Sequence, residues 1–95
     1  MTPLKKTTML EKQIQKKIIN QLQKEGWLCV KLIKTSCNGI PDLLCLRNGI
    51  TMFVEVKREQ GEFSELQKVR VEQLKQKGFE VKVWTDYNTD FVWIQ

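Results

Sequence analysis

Three charged residues have the types and the spacing that a hydrolytic site needs. Glu55 and Lys57 are separated by one residue, so on a strand their side chains share one face. Asp42 lies 13 residues before Glu55. The dipeptide Asn48-Gly49, the strongest hairpin signal in the sequence, falls about midway between the two carboxylates. A hairpin turning there can bring the carboxylates together.

Converging carboxylates beside a lysine suggest phosphate chemistry. Like charges a few ångströms apart repel, and a divalent cation removes that conflict. Mg²⁺ suits such a pair because it takes few protein ligands and keeps waters for a phosphate substrate. A lysine on the same face can orient or deprotonate a water and stabilise the anionic transition state of phosphodiester hydrolysis. Without Asp42 nearby, Glu55 and Lys57 would be only an exposed charged pair on a solvated sheet face.

A third carboxylate falls on an apolar helical stripe. At 100° per residue, Glu11 lies in the middle of the stripe made by Leu10, Ile14, Ile18 and Leu22. A glutamate on a buried face is costly unless it is paired or binds metal. The helical geometry therefore predicts that Glu11 is buried and belongs to the site.

Two helix starts offer a simpler explanation for two of the polar residues. Thr8 with Glu11, and Ser64 with Gln67, each have the three-residue spacing of a capping box. Glu11 and Gln67 are thus either helix caps or members of the site.

The composition restricts the chemistry. The chain has 95 residues, 16 Lys and Arg against 11 Asp and Glu, a net charge of +5 and no histidine. Catalytic triads, Cys-His pairs and HExxH zinc sites are therefore excluded, and a general base must be Lys, Asp, Glu, Tyr or a metal-activated water. The three cysteines, at positions 29, 37 and 45, contain no CxxC motif, which favours reduced thiols in a cytosolic protein.

The length and patterning indicate a single domain over residues 1–95. No apolar run is long enough for a membrane span, and the N-terminal segment is not a signal peptide, so we expect a cytoplasmic protein. The basic balance is typical both of a protein with a polyanionic partner and of a domain whose charge serves only solubility.

Periodicity predicts an α/β protein with the element order α-β-β-β-α-β. The expected helices are 8–25 and 64–77, and the expected strands are 27–34, 43–47, 51–58 and 79–85. The second helix carries a thin apolar face of Leu66, Val69, Val71 and Leu74. The strand after it can join the sheet in parallel, because a helical crossover precedes it. Residues 90–95 form either a short fifth strand or a cap.

Three segments together resemble a known family. They are Gly39-Ile40-Pro41-Asp42, then Phe53-Val54-Glu55-Val56-Lys57, then Gln67 in the following helix. This combination resembles the PD-(D/E)xK nuclease superfamily, and more narrowly the virus-type replication-repair nuclease (VRR-Nuc) domain in its stand-alone phage or bacterial form. The resemblance extends from the Glu11 helix to the strand ending near Thr85. It implies a restriction-endonuclease-like α/β core with a mixed sheet flanked by helices.

The resemblance also implies roles for individual residues. Mg²⁺ or Mn²⁺ would be held by Asp42, Glu55 and the backbone carbonyl of Val56, with Glu11 completing the set directly or through water. Lys57 would position the attacking water. Gln67 would hold the site or the substrate phosphate, and Gly39 would permit close approach of the backbone to DNA.

The implied function is a metal-dependent DNA endonuclease without an organic cofactor. It would leave 5′ phosphates and act as a homodimer on branched DNA such as a Holliday junction. The alternatives are a flap or restriction-like nuclease, and a non-catalytic DNA-binding module that keeps the fold. Candidate DNA contacts are Lys12, Lys16, Lys31, Lys34 and Arg58. Tyr87, Phe91 and Trp93 are either core residues or a dimer surface.

Overall fold

The computed structural model describes residues 10–92, so the interpretations of Thr8 and Trp93 lie outside the described residues. Within that range there are two helices and five strands. In chain order they are α1 (Glu11–Lys24), β1 (Leu28–Lys31), β2 (Leu43–Arg47), β3 (Ile50–Val56), α2 (Glu65–Gln76), β4 (Glu80–Asp86) and β5 (Thr89–Asp90). The predicted α/β class and element order are confirmed.

The strands form one mixed sheet in sequence order, β1-β2-β3-β4-β5. Neighbours are antiparallel except β3 and β4, which are parallel. The parallel pairing follows from α2, which carries the chain back across the sheet between these two strands. The β2–β3 turn has positive φ at both Asn48 (50°) and Gly49 (77°), as the predicted two-residue hairpin requires.

The main core lies between α1 and one face of the sheet. Ile14, Ile18 and Leu22 are the buried residues of α1. They belong to one cluster with sheet residues that include Val54 and Trp84. The four-residue spacing that predicted this helix thus also determines which of its sides is buried. Within residues 10–92, neither helix is long and apolar enough to cross a membrane.

The second helix covers the opposite face only in part. Of its predicted apolar face Val71 is buried, whereas Leu66 is 42% exposed and Val69 is 47% exposed. The thin apolar face predicted for this helix is therefore only partly buried. The reason is that α2 packs mainly along β4, so one strip of the helix meets the sheet.

Several strand boundaries differ from the prediction. The structure ends β1 at Lys31 and β3 at Val56, three and two residues earlier than the β-forming composition predicts. Residues 32–40 instead form a loop, whose first amide, that of Leu32, donates to the carbonyl of Asp42 at 2.8 Å. The short β5 pairs with β4. Of the range 90–95, predicted as a strand or a cap, Asp90 lies in this strand, Phe91 and Val92 do not, and residues 93–95 lie outside the described residues.

Candidate active site

The β2–β3 hairpin sets the two predicted carboxylates side by side. Its register pairs Leu43 with Val54, and one further step places Asp42 opposite Glu55. Oδ2 of Asp42 accepts a hydrogen bond from the amide of Val56 at 2.8 Å, which fixes the carboxylate at the end of the strand. The convergence predicted from the turn position is therefore present in the folded chain.

Glu55 and Lys57 are buried, so they are not a solvated surface pair. Only 3% of Glu55 and 6% of Lys57 is exposed. The ammonium Nζ of Lys57 lies 3.7 Å from Oε2 of Glu55. A buried charge requires partners, and each of these groups is the nearest opposite charge of the other. The amide of Lys57 also donates to the carbonyl of Trp84 at 2.9 Å, which holds the lysine backbone on β4.

Gln67 is both a helix cap and a member of the site. Its Nε2 donates to Oε2 of Glu55 at 3.2 Å, and its Oε1 accepts from Nζ of Lys57 at 3.3 Å. The same Oε1 accepts from the amide of Ser64 at 2.9 Å, while the amide of Gln67 donates to the Ser64 hydroxyl at 3.1 Å. The capping box thus fixes the position from which one amide side chain bridges the acid and the base.

An aromatic ring completes the surroundings of the lysine. Nζ of Lys57 lies 4.8 Å from the ring centroid of Phe63, within cation–π distance. Phe63 was not among the predicted site residues. The signal available in the sequence was the position of Phe63 directly before Ser64, the N-cap of α2. Because the capping box holds Gln67 at the site, Phe63 lies near the site as well.

Asp42 and Glu55 do not both ionise readily in the fold. Burial, followed by repulsion from Asp42, raises the pKa of Glu55 to about 8. Burial also raises the pKa of Asp42, while the hydrogen bond from the amide of Val56 opposes the rise. Neutral pH therefore leaves this carboxylate pair partly protonated unless a cation is present.

The donor set fits a hard divalent cation. Oδ2 of Asp42 accepts the hydrogen bond from Val56, and Oε2 of Glu55 accepts the one from Gln67. The second oxygen of each carboxylate, Oδ1 of Asp42 and Oε1 of Glu55, takes no part in these two hydrogen bonds. In a strand the N–H and C=O of one residue point to the same side, so the carbonyl of Val56, like its amide, is directed towards Asp42 at the start of β2. All three donors are oxygens, as Mg²⁺ prefers.

Glu11 does not occupy the buried position predicted for it. Glu11 is the first residue of α1, and Leu10 is the N-cap. Because the helix begins at Glu11, this residue lies at the exposed end of the helix rather than within its buried stripe. The amide of Leu10 donates to Oε1 of Gln13 at 2.9 Å. Within residues 10–92, no three His, Cys, Asp or Glu side chains are close enough to hold a metal together. The charge of Glu11 nevertheless contributes, after burial, to the raised pKa of both Asp42 and Glu55.

Gly39 has a packing role that the sequence did not indicate. Its φ is +81°, and a Cβ there would lie 2.9 Å from Cγ of Leu66 and 3.2 Å from Cγ of Arg70. Nε of Arg70 donates to the carbonyl of Asn38 at 2.7 Å. Glycine therefore lets α2 close against the loop that leads to Asp42, which is independent of any approach to DNA.

The remaining predicted residues lie at the surface or pack within the chain. The candidate DNA contacts Lys12, Lys16, Lys31, Lys34 and Arg58 are all exposed. The ring of Tyr87 packs on Trp84 at 5.6 Å, and its hydroxyl donates to Glu25. The ring of Phe91 packs on Phe63 at 5.5 Å. The three cysteines are free thiols.

A mixed sheet between two helices, with a carboxylate pair and a buried lysine at one hairpin, is the arrangement predicted from the resemblance to PD-(D/E)xK nucleases. The model of the VRR-NUC domain family matches residues 2–85, and the chain belongs to that family. The match ends where the sequence motifs predicted, at Thr85. Membership implies a nuclease-type function in DNA processing.

The comparison with solved structures agrees. A structure described as a VRR-NUC domain is 32% identical and superposes with a TM-score of 0.73, covering 81% of this chain and 85% of its own. A search of curated protein sequences found no match.

The two roles of Gln67 can be separated by mutation. Ser64→Ala and Gln67→Ala each remove half of the same capping box, so both should lower the stability by about 1 kcal/mol. Only Gln67→Ala also removes the bridge between Glu55 and Lys57. We expect the single-turnover rate constant of DNA cleavage to fall at least tenfold in the Gln67 variant and to stay within about threefold of the parental value in the Ser64 variant. Thermal melts measure the stability of the two variants, and single-turnover assays measure their cleavage rates. Equal losses of cleavage in both variants would show that Gln67 acts only as a helix cap.

Proposed function

We propose that this protein is a metal-dependent DNA endonuclease that hydrolyses phosphodiester bonds and leaves 5′ phosphates. The observation that carries the proposal is the buried group of Asp42, Glu55 and Lys57. Two carboxylates that repel each other and an ammonium 3.7 Å from one of them form a costly arrangement. Such an arrangement is typical of functional sites.

The residues of the chain have separate tasks in hydrolysis. Asp42 and Glu55, with the carbonyl of Val56, would hold Mg²⁺ or Mn²⁺, which when bound supplies Lewis-acid polarisation of the phosphate. Lys57 orients the attacking water through its ammonium group and faces the negative charge that develops on the phosphoryl oxygens. Gln67 keeps the lysine and Glu55 at a fixed separation. Water oxygen bonds to phosphorus as the bond to the 3′ oxygen breaks, so the products are a 3′ hydroxyl and a 5′ phosphate.

The contribution of Glu11 is electrostatic in this proposal. Its exposed carboxylate adds negative charge beside Asp42 and Glu55, which strengthens attraction for a divalent cation. From the helix terminus it would complete the acidic set through a water. The exposed basic residues, including Lys31 and Lys34 at the β1 end, would contact the DNA backbone and give binding that depends on salt rather than on sequence.

Branched DNA, such as a Holliday junction, is the proposed substrate, and a homodimer the proposed assembly. Both rest on analogy with the family. A two-fold dimer would present two identical sites to two strands, as paired cutting of a junction requires. A flap or restriction-like nuclease uses the same chemistry on a different DNA shape.

A non-catalytic DNA-binding module is the weaker alternative. Binding DNA does not need a buried glutamate whose pKa is raised to about 8. A module selected only to bind DNA gains more from neutral or basic residues at that position, because the acidic pair repels phosphate.

The decisive experiment compares substrates and metals. We expect the protein to cut four-way junctions in Mg²⁺ or Mn²⁺ and to be inactive in EDTA, with linear duplex of the same sequence cut at least tenfold more slowly. Equal cutting of junction, flap and linear DNA would remove the junction preference. If no DNA is cut in either metal, the enzyme hypothesis fails and the binding module remains. Sizing the protein in solution tests the dimer separately.

A further inference from the structure

Two of the three cysteines lie opposite each other on neighbouring strands. The register of β1 and β2 pairs Cys29 directly with Cys45. Both side chains lie on the face of the sheet that α1 covers, where Cys45 belongs to the buried core and Cys29 packs against it. The third cysteine, Cys37, lies in the loop 32–40. The function proposed above assigns no role to the pair.

The hydrogen bonds between β1 and β2 make this pair a close one. In antiparallel strands, opposite residues alternate between hydrogen-bonded pairs and non-hydrogen-bonded pairs, and the latter have Cα atoms only about 4.5 Å apart. The register extended by one step places Leu32 opposite Asp42, and the amide of Leu32 donates to the carbonyl of Asp42. Leu32 and Cys29 are separated by an odd number of positions. Cys29 and Cys45 are therefore a non-hydrogen-bonded pair.

The β2–β3 turn leads to the same assignment. Its two turn residues lie between Arg47 and Ile50, which are opposite each other and close the hairpin with their hydrogen bonds. The direction of the backbone amides alternates along a strand, so the amide and carbonyl of Cys45, like those of Arg47, point to β3 and away from β1. No backbone hydrogen bond is therefore directed from Cys45 to the strand that carries Cys29.

The two thiols lie within reach of a covalent bond. A disulfide joins residues whose Cα atoms are about 4.4–6.8 Å apart, and the spacing of a non-hydrogen-bonded pair falls at the short end of that range. The thiols of Cys29 and Cys45 already share a hydrogen bond in the reduced fold. A bridge between them therefore needs rotation of the side chains rather than movement of the strands.

We propose that Cys29 and Cys45 form a reversible disulfide that covalently joins the edge strand β1 to β2. Among the described strands, β1 pairs with β2 alone. The loop 32–40 and Asp42 lie between the two cysteines in the chain, so the bond would close the segment that leads to Asp42 into a ring. Because a cross-link restricts the unfolded chain, the oxidised protein should be the more stable form.

The oxidant in this proposal is an external disulfide such as oxidised glutathione. Cys29 is half-buried and Cys45 is buried, so the thiolate of Cys29 attacks first, forms a mixed disulfide and releases one thiolate of the oxidant. Sγ of Cys45 then loses its proton, attacks Sγ of Cys29 and displaces the second thiolate. The two protein thiols thus give up two electrons and two protons, and the oxidant becomes two thiols.

The surroundings of the pair determine how fast it oxidises. Burial raises the pKa of both thiols, and that of Cys45 rises to about 12. Because the thiolate is the nucleophile, oxidation should be slow at neutral pH and faster at pH 9.

Mass spectrometry after oxidation at pH 9 tests the pairing. The protein should lose the mass of two hydrogen atoms, and dithiothreitol should restore it. The tryptic peptides 25–31 and 35–47 separate Cys29 from Cys45, but Cys37 shares the second peptide. In Cys37→Ser, a link between the two peptides can join only Cys29 and Cys45. No link in this variant, a persistent glutathione adduct in place of the link, or a link between two chains would overturn the proposal.

Thermal melts measure the consequence for the fold. Oxidation should raise the melting temperature by about 10 °C in the parent protein and in Cys37→Ser, and reduction should reverse the rise. Cys29→Ser should show no rise; it is the variant of choice because Cys29 is half-buried, whereas Cys45 lies in the core. A bridged protein that melts no higher than its reduced form would refute the proposal. Neither measurement uses cleavage, so the outcome is independent of the proposed nuclease function.

Discussion

Replacing Lys57 by alanine should reduce DNA cleavage by about 10²- to 10³-fold or more, which is the cost of removing one preorganised charge-stabilising group from an active site. DNA affinity should change less than threefold, because Lys57 is buried and the phosphate backbone meets the exposed basic residues instead. The measurement is single-turnover cleavage in Mg²⁺ beside DNA binding in EDTA. Normal cleavage by the alanine variant would show that another group orients the water.

Two further variants separate the loss of the Lys57 ammonium group from general effects of removing a lysine. Lys82 on β4 also forms an ion pair, with Glu80 at 3.1 Å, but is partly exposed and lies outside the site. Lys82→Ala should therefore cut DNA at the parental rate. Lys57→Met keeps an unbranched apolar stem against Phe63 and removes only the charged end. If the methionine variant folds and is as inactive as the alanine variant, the ammonium group, and not the packing of its stem, is required.

The fold was largely predictable because its signals are local. Helix α1 followed from four apolar residues spaced four apart, and the hairpin followed from Asn48-Gly49. The parallel entry of β4 followed from the intervening helix. The extent of β1 was overestimated because β-forming residues such as Ile33 continue beyond the point where β2 offers a partner, and pairing rather than composition ends a strand.

The site was predictable where a strand or a turn fixes the geometry. Alternation on β3 placed Glu55 and Lys57 on one face, and the hairpin supplied Asp42. The prediction that Glu11 is buried was wrong, because a helical wheel gives the side of the helix on which a residue lies but not the residue at which the helix begins. Phe63 and the packing of Gly39 depend on how α2 lies against the sheet, which is a tertiary contact without a local signal.

The raised pKa of Glu55 links the site to the stability of the fold. The ordinary pKa of a glutamate is 4.5, and burial, followed by repulsion from Asp42, raises the pKa of Glu55 in the fold to about 8. Between these values the folded state holds a proton that the unfolded state has released. The stabilisation is therefore complete below about pH 4.5 and is lost as the pH rises through about 8. The pKa of Asp42 is also raised, so it adds a dependence of the same sign.

Glu55→Gln should flatten this pH dependence in EDTA. The amide keeps the size of the carboxyl and an oxygen that accepts from Gln67, but it does not titrate. The parent protein should lose melting temperature between pH 6 and pH 9 more steeply than the variant does. Glu72→Gln, which changes an exposed carboxylate on α2, should keep the parental slope. Parallel curves for the parent and the Glu55 variant would show that Glu55 ionises normally in the fold.

Divalent cations should restore the melting temperature that the parent protein loses at high pH, and they should not raise the melting temperature of Glu55→Gln. A ligand at one hundred times its Kd stabilises the folded state by about 2.7 kcal/mol, which for a chain of this size is a rise of roughly 10–20 °C. Protons and the cation compete for the same oxygens, so the rise caused by Mn²⁺ should grow from pH 6 to pH 9. Asp42→Asn should abolish the rise as well, and calorimetry should show that it no longer binds Mn²⁺. Equal stabilisation of the parent and both variants would place the ion elsewhere. Loss of the rise together with loss of cleavage would tie the instability of the empty site directly to the metal that the reaction uses.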